Sequence, residues 1–318
     1  MRPNSIAIIG VGRLGSNLAQ ELIRSGAFSK IYLGNRSASR LESVTLSLRV
    51  FASCIGSHTE IVPIHDQSPL NADVVVITIK EKYDPRTLLE KEQLPEGFER
   101  NVRTIGIRKD LPLVKAVCAK LNGYRGKIVV VTNPVDIFTV LVKEWIPTAE
   151  VYGFGVTVDA ARLAFCAQQE GIKCTANDCF LGGVHIGRLV QLRSLWNQAS
   201  PLYLQSELAV EDLLEDVSKI GPAIVRGLGF TLHDCATVFA RDLTWLAAKD
   251  TTRKYLCVSI GNQSSAVARP LFYSEATGSY EIFNSLLDTE LQQLDNAAQL
   301  VKKVVDMIRR TPIFRYKP

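Results

Sequence analysis

The chain has 318 residues, of which 47% are hydrophobic and 22% charged, and its net charge is +5. This is the balance of a folded globular protein, long enough for one large or two ordinary domains with their own cores. No run approaches the ~20 continuous apolar residues of a membrane helix. The basic residues are largely dispersed rather than gathered as in a nucleic-acid binder; their one concentration, Lys80 to Arg108, suits a small anionic ligand equally well. Seven cysteines and four histidines show neither disulfide nor metal-ligand spacing, so free thiols in a reducing compartment and no metal are expected.

In chain order, Ile6–Ile9 is too short for a leader's apolar core and reads as the first strand of an intracellular, cytoplasmic protein. Gly10-Val11-Gly12-Arg13-Leu14-Gly15 follows at once and opens a helix. That helix aligns Leu14, Leu18 and Leu22 on one face and stops at Gly26. Strands are predicted at Lys30–Leu33, Glu60–Ile64, Asp73–Thr78 and Lys127–Thr132. They are almost wholly apolar, as strands covered on both faces must be. A long helical pattern runs from about Glu99 to Leu121. This alternation predicts an α/β fold, a Rossmann-type doubly wound parallel sheet over residues 1–148. From 149 to 318 a mixed α+β substrate domain is expected. Strand-like pieces lie there at Tyr255–Ile260 and Tyr280–Ile282, and a closing helix has apolar positions from Leu291 and Leu300 to Ile308. No linker or repeat intervenes, so the two parts should pack tightly around a cleft.

The glycine segment has the form that holds a dinucleotide. Gly10 permits a tight turn, Gly12 lets the backbone approach a pyrophosphate, and Gly15 lets the helix lie close on the strand. About twenty residues on, where an acid usually binds the ribose 2′-hydroxyl, this chain has Asn35, followed by Arg36 and Ser37, with Arg40 nearby. Asn35 does not repel a 2′-phosphate, and the next two side chains offer it a guanidinium and a hydroxyl. NADP(H) is therefore favoured over NAD(H).

Three later segments carry reaction chemistry: Asn133-Pro134-Val135-Asp136; Gly153-Phe-Gly155-Val-Thr-Val-Asp159-Ala-Ala-Arg162; and Gly182-Gly183-Val184-His185-Ile186-Gly187. With the glycine segment and Gly229-Phe-Thr231, they resemble the lactate/malate dehydrogenase family along nearly the whole chain. The resemblance implies hydride transfer between a nicotinamide and a 2-oxo/2-hydroxy acid. It implies His185 as proton donor and acceptor, Asp159 as its partner, Arg162 as the grip on a substrate carboxylate, and Asn133 on the reacting oxygen. A histidine suits this work because it titrates near neutrality, and a neighbouring carboxylate fixes such a ring's tautomer and favours its charged form. Thr231 matches a substrate-pocket threonine, while His233 is read as structural. Arg13, Leu14, Thr78 and Asn133 complete the expected cofactor-binding set. The resemblance also implies a homodimer or homotetramer.

The sequence departs from the family pattern after the fourth strand. The bulky pair Ile79-Lys80 replaces a small-residue turn, and the position of the family's carbonyl-polarising arginine falls on Leu94. Arg86 is the arginine left in that loop, with Lys82 as a second cation, and Lys80 to Gly97 is expected to form a mobile lid. The family's Glu-His-Gly becomes Val184-His185-Ile186, with the glycine displaced to Gly187. Since the Asp–His–Arg set survives, these changes point to a substrate other than plain lactate or malate. Two alternatives stand beside this reading. One is a reductase of another carbonyl or an imine that carries a carboxylate. The other is a catalytically silent dinucleotide-binding protein of the same fold.

Overall fold

A computed structural model describes residues 5–65, 72–81, 102–185, 187–196, 202–228, 233–248, 255–262 and 264–310. Side chains of 102–105, 207 and 208 are outside the description. The predicted strands of the first half form β1 (Ser5–Ile9), β2 (Lys30–Gly34), β3 (Glu60–Ile64), β4 (Val74–Ile77) and β5 (Lys127–Val130), followed by β6 (Glu150–Gly153). All pair in parallel, in the order β3-β2-β1-β4-β5-β6. The order reverses between β1 and β4. In open α/β sheets the carboxyl ends of the strands at such a reversal are where ligands are held.

The first helix, α1 (Arg13–Ser25), buries Leu18 and Leu22 completely, half-buries Leu14, and ends at a left-handed Gly26 whose N–H reaches Ile23 O. Next come α2 (Ala38–Cys54), α3 (Val102–Lys120) and α4 (Val135–Trp145). The second half supplies α5 (Val156–Gln169), β7 (Leu181–Gly183), β8 (Leu189–Gln191), α6 (Glu207–Leu228) and α7 (His233–Ala248). It ends with β9 (Leu256–Gly261), β10 (Ala266–Ser274), β11 (Ser279–Ile282) and α8 (Asp288–Arg310).

The sheet does not stop at β6. Strand β9 pairs antiparallel with it, β10 follows, and β7, β8 and β11 complete, among the described residues, a single sheet of eleven strands. Helices of both halves share the cores. On one face, Leu18 and Leu22 of α1 lie in one cluster with Phe239, Leu243 and Leu246 of α7. On the other, Val114 of α3 and Phe138 of α4 join Val301, Val305 and Ile308 of α8. The closing helix thus buries most of its expected stripe. Leu300 does not follow: at 45% exposure it faces outward, one position round the helix from buried Val301. Of the seven cysteines, Cys54 is exposed, the other six are buried, and all are free thiols.

Candidate active site

The glycine segment turns between β1 and α1, at the carboxyl end of β1. Gly10 has φ +109°, a conformation that side chains rarely adopt, and its N–H donates to Gly34 O at 2.8 Å. A Cβ on Gly15 would stand 2.4 Å from Gly10 O, so only glycine lets the helix start this close to the turn. Helix α1 begins at Gly12 with no side-chain cap on its N–H groups and no acid in its first turn. The Thr78 hydroxyl donates to Gly10 O at 2.8 Å, and the Thr132 hydroxyl donates to Ile79 O at 2.9 Å. These two threonines tie together the ends of β1, β4 and β5. Arg13 is exposed at the start of the helix, and Leu14 is half-buried.

Beyond β2, Asn35 is half-buried while Arg36 and Ser37 are exposed. Arg36 has a partner that its sequence position does not reveal: its guanidinium lies 3.0 Å from Glu81, just after β4. Ser37 caps α2, accepting from Arg40 N at 3.3 Å. Arg40 donates from Nε to Val11 O at 3.1 Å and braces the glycine turn. Arg40 is therefore a structural element of the turn and not a loose surface charge.

The second constellation is built at the start of α5. Asp159 sits in its first turn and is fully buried, and Arg162 follows one turn later at 4% exposure. His185 comes from the turn after β7, and its Nδ1 lies 2.8 Å from Asp159 Oδ2. An ionised carboxylate only accepts, so with Asp159 charged the proton between them belongs to Nδ1, leaving Nε2 for other chemistry. Gly155 makes this meeting possible: a Cβ there would come within 2.7 Å of the His185 ring.

A second carboxylate steadies His185. Asp136 lies in the first turn of α4, three residues after Asn133. Its Oδ2 accepts from His185 N at 3.0 Å, and its Oδ1 accepts a short bond from the Ser259 hydroxyl of β9. Burial pushes the Asp136 carboxyl above its usual pKa range, against the lowering effect of the Ser259 bond and of His185. Asn133 is exposed just before α4, at the cis Asn133–Pro134 peptide, and Asp136 links that helix start to His185.

Arg162 is not open. Its Nε and Nη2 both donate to Asp234 Oδ2, at 3.1 and 2.7 Å, and its Nη1 lies 3.8 Å from Asp159 Oδ1. Asp234 stands in the first turn of α7. Sequence reasoning assigns no role to Asp136, Ser259 or Asp234. Asp136 stood inside a quoted motif, whereas Asp234 lies 72 residues from the arginine it meets, and no local pattern reports such a pairing. His233 is exposed at the start of α7. Thr231, Arg86, Lys82, Leu94 and all but the first two residues of the expected lid lie outside the described residues. Among the described residues no helix is long and apolar enough to cross a membrane, and no group of His, Cys, Asp and Glu forms a metal cluster.

Comparison with known proteins agrees with this fold. Residues 5–97 match the family described as "NADP oxidoreductase coenzyme F420-dependent". An L-lactate dehydrogenase of Staphylococcus saprophyticus is 25% identical over 252 residues, 74% of each chain. L-lactate dehydrogenase 2 of Staphylococcus aureus is 23% identical over 325 aligned positions, 96% of each chain. A lactate dehydrogenase from a deep-sea metagenome superposes with a TM-score of 0.79 at 18% identity, covering 96% of this chain and 99% of its own. Malate dehydrogenase from Archaeoglobus fulgidus, solved in complex with NADH, gives 0.78 at 21% identity, with 95% and 99% covered. The chain is a divergent relative of the lactate/malate dehydrogenase family, an oxidoreductase built on the nicotinamide-dinucleotide-binding fold.

Proposed function

We propose that the protein transfers a hydride between NADP(H), taken in preference to NAD(H), and a small 2-oxo/2-hydroxy acid other than plain lactate or malate. The observation that carries this reading is the buried Asp159–His185 pair with Arg162 one turn along the same helix. Residues 1–148 would hold the cofactor and 149–318 would supply the acid/base set.

The fingerprint turn fits a dinucleotide. Helix α1 leaves its first N–H groups without a side-chain cap, and a Cβ on Gly12 would meet only Gly10 O, at 3.9 Å, so backbone can approach a phosphate there. Gly10, Gly12, Arg13, Leu14 and Gly15 would hold the pyrophosphate, Asn35, Arg36 and Ser37 the adenosine ribose, and Thr78 and Asn133 the nicotinamide end. The bound nicotinamide supplies the hydride; the protein's own groups manage the proton and the substrate. Asp159 holds His185 Nδ1, so Nε2 can give a proton to the carbonyl oxygen or take it back from the hydroxyl. Arg162 grips the substrate carboxylate and Asn133 bonds the reacting oxygen. Exposed apolar side chains on α2 (Leu46, Val50), α5 (Phe165) and α6 (Val225, Leu228) support the reading that copies associate as a homodimer or homotetramer.

The test is a screen. Oxidation of NADPH and of NADH is followed with a panel of 2-oxo acids of graded side-chain size and charge. The expected result is turnover with at least one 2-oxo acid, faster at low NADPH than at equal NADH. Tight cofactor binding without turnover on any 2-oxo acid would overturn the reading.

A further inference from the structure

The guanidinium of Arg162 is almost sealed. Asp159 lies on one side of it, and its Oδ2 is already committed to His185. Helix α6 closes another side: a Cβ on Gly221 would stand 3.1 Å from Arg162 Nη1 and 3.7 Å from Cζ. The Cys235 sulfur lies 4.0 Å from Nη2. The remaining edge, Nε with Nη2, carries Asp234. Asp234 is also the partner nearest solvent, with its side chain 28% exposed against 5% for Arg162. That two-nitrogen edge is the one a substrate carboxylate would use for a forked bond.

We propose that Asp234 is a specificity-determining residue that competes with the substrate carboxylate for Arg162 and is displaced when substrate binds. The proposal rests on the reading of Arg162 as the carboxylate grip. Two carboxylates cannot share one guanidinium edge without like-charge repulsion, and Asp159 already holds the far side. Leaving a buried arginine unpaired is costly, so an internal carboxylate suits the substrate-free protein. Once displaced, Asp234 has somewhere to go. It lies in the first turn of α7, where the helix N-terminus favours negative charge, and it borders solvent. Substrate affinity is then set by a difference between two carboxylates on one arginine. A weakly held monocarboxylate loses that competition, and an acid with a further contact wins it.

The experiment measures binding of oxamate, a 2-oxo acid analogue that is not reduced, to the NADPH-loaded protein. Titration calorimetry compares parent, Asp234→Asn and Asp234→Glu. The asparagine variant keeps an oxygen acceptor but loses the charge, so oxamate should bind about tenfold more tightly or better than to the parent. The glutamate variant restores the charge and should move affinity back toward the parent's. The KM of an active 2-oxo acid should follow the same order. Parent-level or weaker oxamate binding by Asp234→Asn, with a folded protein and a binding-competent parent, would overturn the competitor role alone. Failure of all three proteins to bind oxamate or turn over any 2-oxo acid would overturn the carboxylate-grip reading and this inference with it.

Discussion

Arg36 illustrates how magnitude decides between two partners. It bonds Glu81 at 3.0 Å, yet its side chain is 67% exposed. An exposed ion pair is worth only about 0–1 kcal/mol, whereas a charge-assisted contact to a phosphate is worth about 1.5–3 kcal/mol. A 2′-phosphate should therefore take Arg36 from Glu81. Arg36→Ala then removes the guanidinium that would attract the phosphate. We predict that the variant binds NADPH at least about tenfold more weakly while its affinity for NADH changes little. Direct titration of both cofactors checks this, and equal losses for the two would remove Arg36 from 2′-phosphate recognition. Asn35-Arg36-Ser37 draws attention as a candidate ribose-end segment because it follows a predicted strand at a fixed distance. Glu81 and Asp234 meet their arginines only through tertiary packing, 45 and 72 residues away.

Among the elements, α3 carries a carboxyl whose titration should be visible in stability. Asp110 is 1% exposed, and its Oδ1 accepts the Glu81 N–H at 2.6 Å. Burial pushes its pKa up to about 6, against the lowering effect of that N–H and of Lys80. The folded protein then holds this proton more tightly than the unfolded chain does. Its contribution is full below the unfolded carboxyl's pKa and is lost as pH rises through about 6. Asp110→Asn keeps the acceptor and removes the titration. It should match the parent most closely near pH 4 and exceed it at pH 8 by on the order of 2 kcal/mol. Denaturant midpoints at the two pH values check this, and a variant less stable than the parent at pH 8 would contradict it.

The elements also differ in how far the sequence betrays them. The parallel strands stand out as short apolar runs because both their faces are buried. Helix α2 does not announce itself: Leu41, Leu48 and Ala52 are buried, while Leu46 and Val50 on the same helix are exposed, so no single apolar stripe emerges. Strand β10 is obscured by Pro270, which usually argues against a central strand. It is tolerated where the neighbour on one edge changes from β7 at Ala268 to β11 at Leu271. Pro270 O accepts from Phe283 N at 2.9 Å on that edge, which is also the edge where its missing N–H would point.

At the scale of the whole molecule, one sheet joins the two halves and carries the site at their junction. Asp136 of α4 and Ser259 of β9 meet at the backbone of His185, while Asp159 of α5 holds its ring. First-half and second-half elements thus converge on a single histidine, the group proposed to move the proton that accompanies the hydride. The direct measurement is the turnover of His185→Gln on the best 2-oxo acid of the panel, with NADPH affinity measured in parallel. We predict unchanged cofactor binding and a turnover reduced by about 10²–10⁴-fold, the usual contribution of general acid–base catalysis. A His185→Gln protein that binds NADPH and keeps the parent's rate would remove His185 from proton transfer.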